Sequence, residues 1–353
     1  MQTQASFHKD SNVQTSTPDV LQRPERSPIL EIPPEILSEI FERFVPAYPE
    51  WPPLSGILSP LLLCRICRYW REIAMSTPTL WAAIDLSIDN QAEEQQLELL
   101  DLWLSRSGSC PLSLSIEVTV RGSPDTMPHP SLSQLLPTII RHCERWVHIK
   151  LVVPLALLHL IRGNMPLLQD LAFGPTHLPP DDAPPPVTIF DMAPQLTKVV
   201  LQDCFVPQAI RLPWAQITHL EGLCLYEGEC VHILNLAVNL VHCTLCIVCG
   251  TEYSPPPTII TLPHLRDFFL VVRDDETDLR KVLNHLALPA LDTLHVVEPF
   301  LGQDEPPDTR LDVLKNLFSR SECVVRELRV VDPSITESSY REAFPSVKSI
   351  IFL

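Results

Sequence analysis

P-H-L-R-D-F-F-L (residues 263–270) and P-A-L-D-T-L-H-V (residues 289–296) share one frame, Pro-x-apolar-x-x-apolar-x-apolar. Its last two apolar positions alternate, as a strand with one buried face requires. The frame returns at residues 166–173, 194–201 and 345–352. Without the proline it stands at Leu220/Leu223/Leu225, Leu240/Cys243/Leu245 and Val325/Leu328/Val330, and Trp146/Ile149/Leu151 and Trp81/Ile84/Leu86 are degenerate members. From Leu168 to Val347 the first apolar positions are 28, 24, 20, 25, 26, 34 and 22 residues apart.

Helical patterns lie between the frames. Leu279, Val282, Leu283 and Leu286 form an i, i+3, i+4, i+7 stripe, as do Leu311, Leu314, Leu317 and Phe318; Leu97, Leu100 and Leu104 suggest another. Strand, loop and helix recur, so each unit buries its apolar side on its neighbours. The spacing fits the ~20–29 residue period of leucine-rich repeats with one longer unit, although the regular Asn of that consensus is missing and the loops should be irregular. Proline-rich stretches at 175–187, 254–258 and 298–308 read as loops between units.

Composition removes several alternatives. Lys plus Arg number 26 and Asp plus Glu 43, a net charge of −17, so general attraction to nucleic acid or an anionic membrane is not expected. The hydrophobic fraction of 45% supports a large core. Only 9 glycines are present, and no phosphate-cradling glycine motif, GxSxG, HExxH or EF-hand loop occurs. The polar N-terminus has no apolar secretory core. Eleven scattered cysteines fit a reducing compartment, cytoplasmic and/or nuclear. Residues 230–251 lack charge but contain His232, Asn235, Asn239 and His242; they read as a buried helix followed by a strand, not a membrane span.

Residues 1–28 read as a disordered tail, with Thr17-Pro18 and Ser27-Pro28 as ordinary Ser/Thr-Pro pairs. Next come I-P-P-E-I-L-S-E-I-F (32–41), an insert at 46–60 rich in proline, L-L-L-C-R-I-C-R-Y-W-R-E-I-A (61–74), where helical character returns, and T-P-T-L-W (77–81). These residues, in this order, resemble the F-box domain, in the form common in mushroom-forming fungi. Ile32 stands where that pattern usually has Leu, and the insert lengthens the first connection. The resemblance covers about one seventh of the chain. It implies a three-helix module that docks on a Skp-family adaptor and through it on cullin. Pro34, Ile36, Leu37, Ile40 and Phe41 would contact the adaptor, with Leu62, Ile66, Cys67 and Trp70 shared between core and interface.

Three sets of residues invite a chemical reading. Cys64-x-x-Cys67 and Cys243-x-x-Cys246-x-x-Cys249 have ligand-like spacing, but neither set supplies the four ligands of structural zinc, and they read as core cysteines with no metal and no cofactor. Asp274, Asp275, Glu276 and Asp278 read as charge solvated before a helix. Residues flanking the apolar slots of the late frames, Arg266, Asp267, Asp292, Thr293, His295, Arg326, Glu327 and Arg329, should point away from the core. Among them Arg266, Asp292, His295, Arg326 and Arg329 are the expected target contacts. The last frame ends near Leu353, and its strand edge needs a cover.

The sequence thus predicts an α/β protein: a helical F-box-like module (29–81) followed by an irregular leucine-rich-repeat-like α/β solenoid, a horseshoe, over 82–353. The expected function is non-catalytic. The chain would be the substrate-recognition subunit of a Skp–cullin–F-box ubiquitin ligase, tethering an unknown target protein to the ligase. The alternative is a repeat scaffold, or an adaptor-binding protein outside any ligase.

Overall fold

A computed structural model describes residues 28–89, 94–119, 132–158, 160–175, 188–190, 192–202, 210–250, 258–302 and 306–353. The expected tail, apart from Pro28, and most of the stretches 175–187 and 254–258 lie outside the described residues.

Three helices come first: α1 (Pro34–Phe44), α2 (Pro60–Ile66) and α3 (Arg68–Ser76). Proline opens α1 and α2, where the missing N–H costs no intrahelical bond. The helical stretch 61–76 is divided between α2 and α3. The chain turns out at Cys67, whose extended backbone (φ −155°, ψ 171°) ends α2, and whose Sγ accepts the Trp70 N–H at 3.4 Å to cap α3. Across that break Arg71 Nε donates to the Cys64 carbonyl at 2.7 Å. A 3₁₀ turn, Pro78–Trp81, leads onward. The Trp81 indole donates to the Ala74 carbonyl at 2.8 Å and meets Trp103 edge-on at 5.0 Å, joining the three helices to the repeats.

The rest alternates strands and helices. In chain order these are β1 (Ala83–Asp89), α4 (Glu94–Arg106), β2 (Leu112–Thr119), α5 (Leu132–Ile140), β3 (Trp146–Val153), α6 (Leu155–Leu158), β4 (Asp170–Pro175), β5 (Thr188–Ile189), β6 (Lys198–Leu201), β7 (Ile210–Arg211), β8 (His219–Tyr226), α7 (Glu227–Leu236), β9 (His242–Val248), β10 (Ile260–Thr261), β11 (Asp267–Val272), α8 (Arg280–Leu283), β12 (Leu286–Ala287), β13 (Thr293–Val297), α9 (Pro307–Ser321), β14 (Glu327–Val331), α10 (Glu337–Ala343) and β15 (Ser349–Phe352). Eleven strands form one sheet ordered β1-β2-β3-β4-β6-β8-β9-β11-β13-β14-β15, every pair parallel, so each strand of this sheet lies beside the next one in the chain. The short strands β5 with β7, and β10 with β12, make two small parallel pairs.

Register turns the repeated frame into rows. The second apolar slots align as Ile84, Leu114, Ile149, Leu171, Val199, Leu220, Cys243, Phe268, Leu294, Leu328 and Ile350, all buried. Trp103 of α4, Leu135 of α5, Ile233 of α7 and Leu314 of α9 join the same core. Each fully buried aliphatic side chain contributes roughly 1.5–3 kcal/mol relative to exposure.

The Leu220 frame stands in a different register from the one its spacing suggests. Leu220 occupies the second slot, beside Val199 and Cys243, so the first slot is the buried Ile217 and not Leu220. Gly222 then stands where neighbouring strands carry a large side chain. A Cβ there would lie 2.5 Å from Leu225 Cδ1; the strand bulges between Gly222 and Leu225, so that Leu225 fills the vacancy. The expected helix over 279–286 is also shorter: α8 is a single turn, and Leu286 belongs to β12. The segment 298–308 is not a plain loop, since Glu298–Leu301 is a 3₁₀ turn and α9 begins at Pro307. By contrast, residues 230–251 hold most of α7 and then β9, as expected. No helix among the described residues is long and apolar enough to cross a membrane.

Two buried carboxylates fasten one unit to another. Glu298, fully buried after β13, accepts from Ser334 N at 3.1 Å, Ser334 Oγ at 2.5 Å, Ile335 N at 3.3 Å and Tyr340 Oη at 3.0 Å, and pairs with Arg310 at 3.2 Å. Glu227, after β8, accepts Asp278 N at 3.0 Å and pairs with Lys281 at 2.8 Å. A buried charge needs such full satisfaction.

Candidate functional site

The helical segment exposes apolar surface. Of the sixteen large hydrophobic side chains exposed among the described residues, seven (Ile29, Leu30, Ile36, Ile40, Ile57, Leu58 and Ile66) lie within 38 residues of one another. The stripe expected on α1 is wider than one core contact, so the helix divides it. Leu37 and Phe41, one turn apart, are 1% exposed, and Phe41 packs on Trp70 at 4.9 Å. Ile36 and Ile40, one residue earlier in each turn, are each 48% exposed. The expected adaptor contacts therefore separate. Pro34, Ile36, Ile40 and Ile66 are exposed, and Leu62, Cys67 and Trp70 are half-buried. Leu37 and Phe41 are corrected to core, because their side chains are spent inside the helical module.

The insert 46–60 does not hang free. The Pro52 carbonyl accepts the Asp85 N–H at 2.7 Å, and Pro53 bridges to β1. Tyr48 stacks on His148 at 3.7 Å with planes 8° apart, and its hydroxyl donates to Asp170. Burial, followed by the Asp170 hydrogen bond and charge, raises the Tyr48 hydroxyl above its ordinary range. The insert thus lies over the outward side of the first strands.

That outward side is built by alternation. In ten neighbouring strands the residue just before the second apolar slot faces away from the core, and these residues align as Ser113, His148, Asp170, Lys198, His219, His242, Asp267, Thr293, Glu327 and Ser349. Neighbours satisfy one another along the row. Ser113 Oγ and His148 Nδ1 are 2.8 Å apart, His242 Nδ1 and Asp267 Oδ2 2.6 Å, and the His219 and His242 rings stack at 4.6 Å. Desolvation lowers the His148 and His219 pKa values below the ordinary imidazole range; His242 and Lys198 reinforce the effect at His219. Lys198, His219, Glu221, His242 and Thr244 line a shallow pocket of about 150 Å³ in the middle of this face. Ser113, His148 and Asp170 do not form a charge-relay set, because Tyr48 holds the Asp170 carboxylate and covers the imidazole.

The expected target contacts fall on two levels. His295 and Arg329 stand side by side on the outward face; Arg329 lies 5.6 Å over the Phe269 ring and pairs with Glu327 at 2.5 Å. Arg266, Asp292 and Arg326 are corrected in position. They precede β11, β13 and β14 and lie on the rim where the strands begin, not on the strands. Arg326 holds Asp292 in a two-pronged ion pair.

The cysteines disperse. Cys243 is in the core, and Cys246, three residues along the same strand, points to the other face, so the two cannot share an ion. Cys64 is buried in α2 and Cys67 sits at the helix break. Among the described residues no group of three or more His, Cys, Asp or Glu side chains is placed to hold a metal. Nor are the acids of 274–278 simply solvated: Asp274 accepts from Cys249 N at 2.7 Å, Glu276 N at 3.0 Å and Thr277 Oγ1 at 2.8 Å, bracing one loop against another. No protein-family model and no curated protein matches the chain.

Proposed function

We propose that the chain is a non-catalytic receptor in which residues 29–81 act as an F-box-like module binding a Skp-family adaptor, and the repeats form a horseshoe that holds a target protein. The observation that carries this reading is the exposed apolar side of the helical module. Ile36, Ile40 and Ile66 lie in water on short helices whose cores are already filled by Leu37, Phe41 and Leu63. Exposed apolar concentration of this kind marks a partner surface. The motifs at 32–41, 61–74 and 77–81, in their order, favour the adaptor as that partner.

The remainder suits a holder of targets. Strands adjacent in chain order, with one buried apolar side and a row of polar residues on the other, present a broad surface, and strands place recognition groups more accurately than loops. Holding adaptor and target on one chain raises the target's effective concentration at a ubiquitin-loaded enzyme. The cell location that fits is cytoplasmic and/or nuclear. Affinity purification of the full chain from its own cells tests the reading. Recovery of a Skp-family adaptor with cullin supports the ligase; adaptor without cullin leaves the adaptor-binding alternative; recovery of neither removes the proposal and leaves a scaffold.

A further inference from the structure

From His148 onward, the residue just before each member of the outward row forms a second row, along the rim where the strands begin. In order it reads Val147, Gln169, Thr197, Thr218, Val241, Arg266, Asp292, Arg326 and Lys348. From Gln169 to Arg326 each backbone N–H donates to the carbonyl of the preceding member, and Lys348 comes beside Arg326 through the pairing of β14 with β15. The first five are uncharged, and three of the last four are cations. The protein carries −17 overall, so this concentration runs against its general charge.

Arg266, Arg326 and Lys348 are all exposed. The Arg266 guanidinium and the Lys348 ammonium have no hydrogen-bond or ion-pair partner among the described residues. Asp292 is the one carboxylate set between them, and Arg326 grips it. That bond, with the charges of Arg326, Arg266 and Lys348, holds the Asp292 carboxyl below its usual range. Of the nearby acids, Glu327 is paired with Arg329, while Asp267 lies against His242 and its charge also reaches Arg326. Three cations against Asp292 and the neighbouring Asp267 leave a local charge of about +1 at neutral pH. At the ~4.8 Å spacing of neighbouring strands the four positions cover roughly 14 Å, the reach of about four to five residues of extended chain at ~3.3 Å each.

From this we infer that the late rim, Arg266–Asp292–Arg326–Lys348, is the docking surface for an extended Asp/Glu-rich segment of the partner, whose carboxylates displace Asp292 from Arg326. The inference rests on the reading of the repeats as the target-holding part and names the chemistry of the target there. Arginine suits such a ligand because its fork donates to carboxylate oxygens in pairs. Asp292 is an internal competitor: it keeps the rim from gripping isolated anions and yields to several carboxylates presented together.

Fluorescence anisotropy with the full chain tests this. The probes are a labelled Glu-rich peptide of about ten residues, the same peptide with every Glu replaced by Gln, and the Gln peptide carrying one phosphoserine. The Glu peptide should bind at least tenfold more tightly than the Gln peptide, and rising salt should weaken it, since exposed charges are screened. Arg326→Glu with Lys348→Glu should cost tenfold or more, while Asp292→Asn should tighten binding several-fold by removing the competitor. Unchanged affinity in both variants, equal binding of the Gln peptide, or a preference for the phosphoserine peptide over the Glu peptide would each overturn the assignment. Adaptor binding, measured on the same preparations, separates the cases. Adaptor bound without the Glu peptide defeats this inference alone, and the reverse defeats the ligase reading alone.

Discussion

The helical module and the sheet face solve opposite problems. In the module, Leu37 and Phe41 satisfy the core, and the isoleucines beside them remain in water. On the sheet face the outward row from Ser113 to Ser349 is polar, and side chains there largely satisfy one another, as in His242–Asp267, Lys150–Glu117 and Arg329–Glu327. An apolar surface gains by being covered wholesale, so it suits a permanent partner. A paired polar surface gains only when a ligand offers better partners than those already present, so it suits selection among ligands. On the proposed reading the two ends of the chain have different duties.

The largest effect that could break this division comes from the module. Replacing Ile36 and Ile40 together with Asp should abolish adaptor binding. An unpaired carboxylate buried at an interface costs several kcal/mol, which is orders of magnitude in affinity. Because both side chains are half exposed in the free chain, the double variant should keep its circular dichroism spectrum and melting temperature. Adaptor titration by calorimetry provides the check, and full affinity in the folded variant would leave the exposed isoleucines without a role.

Next in size is the stability of the late repeats. Glu298→Ala removes the buried acceptor of Ser334, Ile335 and Tyr340 and the carboxylate partner of Arg310. Losing one partner of a buried pair costs about 3–5 kcal/mol, and urea unfolding should register it while adaptor affinity stays unchanged. If adaptor affinity fell equally, the two regions would not be separate in function.

A smaller effect concerns the outward face. Charge reversal at Arg329, paired with Glu327 and seated over Phe269, should weaken target capture several-fold and spare the adaptor. Pull-down of a captured target by wild type and variant measures it. The smallest is a pH effect. Desolvation pushes the Glu229 carboxyl up to about 7, against 4.5 in the unfolded chain. Between those values the folded state holds the proton more tightly, so this contribution to stability is present below about 4.5 and fades as pH rises through 7. Glu229→Gln should therefore flatten that slope, gaining on wild type at pH 8 relative to pH 5 in thermal melts.

Much of the architecture was legible because parallel strands buried on one side must repeat the same apolar slots. Frames at Leu168, Leu265 and Leu291 fall in register, and even Trp146 and Trp81 mark true units. Strand β2 lies outside the repeated frames although Leu112, Leu114, Ile116 and Val118 alternate plainly. The Leu220 frame slipped by three because Gly222 replaces a large residue and a bulge restores the pattern, a device of close packing that composition does not reveal.

The candidate sites were partly legible. The polar residue before each second slot repeats through ten strands and could have identified the whole outward row; only its late members were picked out. Lys348 was missed on the rim for the same reason. What the sequence could not divide was the α1 stripe, since Ile36 and Leu37 differ by only about 100° around the helix. Nor could it reveal that the insert turns back onto the sheet through Tyr48, His148 and Asp170, a contact spanning 122 residues.

Hydrogen exchange of the full chain with and without purified Skp-family adaptor tests the division of duties most directly. The account predicts slowed exchange in α1 and in α2–α3, around Ile36, Ile40 and Ile66, with β6 to β15 unchanged. Protection spread over the outward sheet face, with the helical module unaffected, would contradict it.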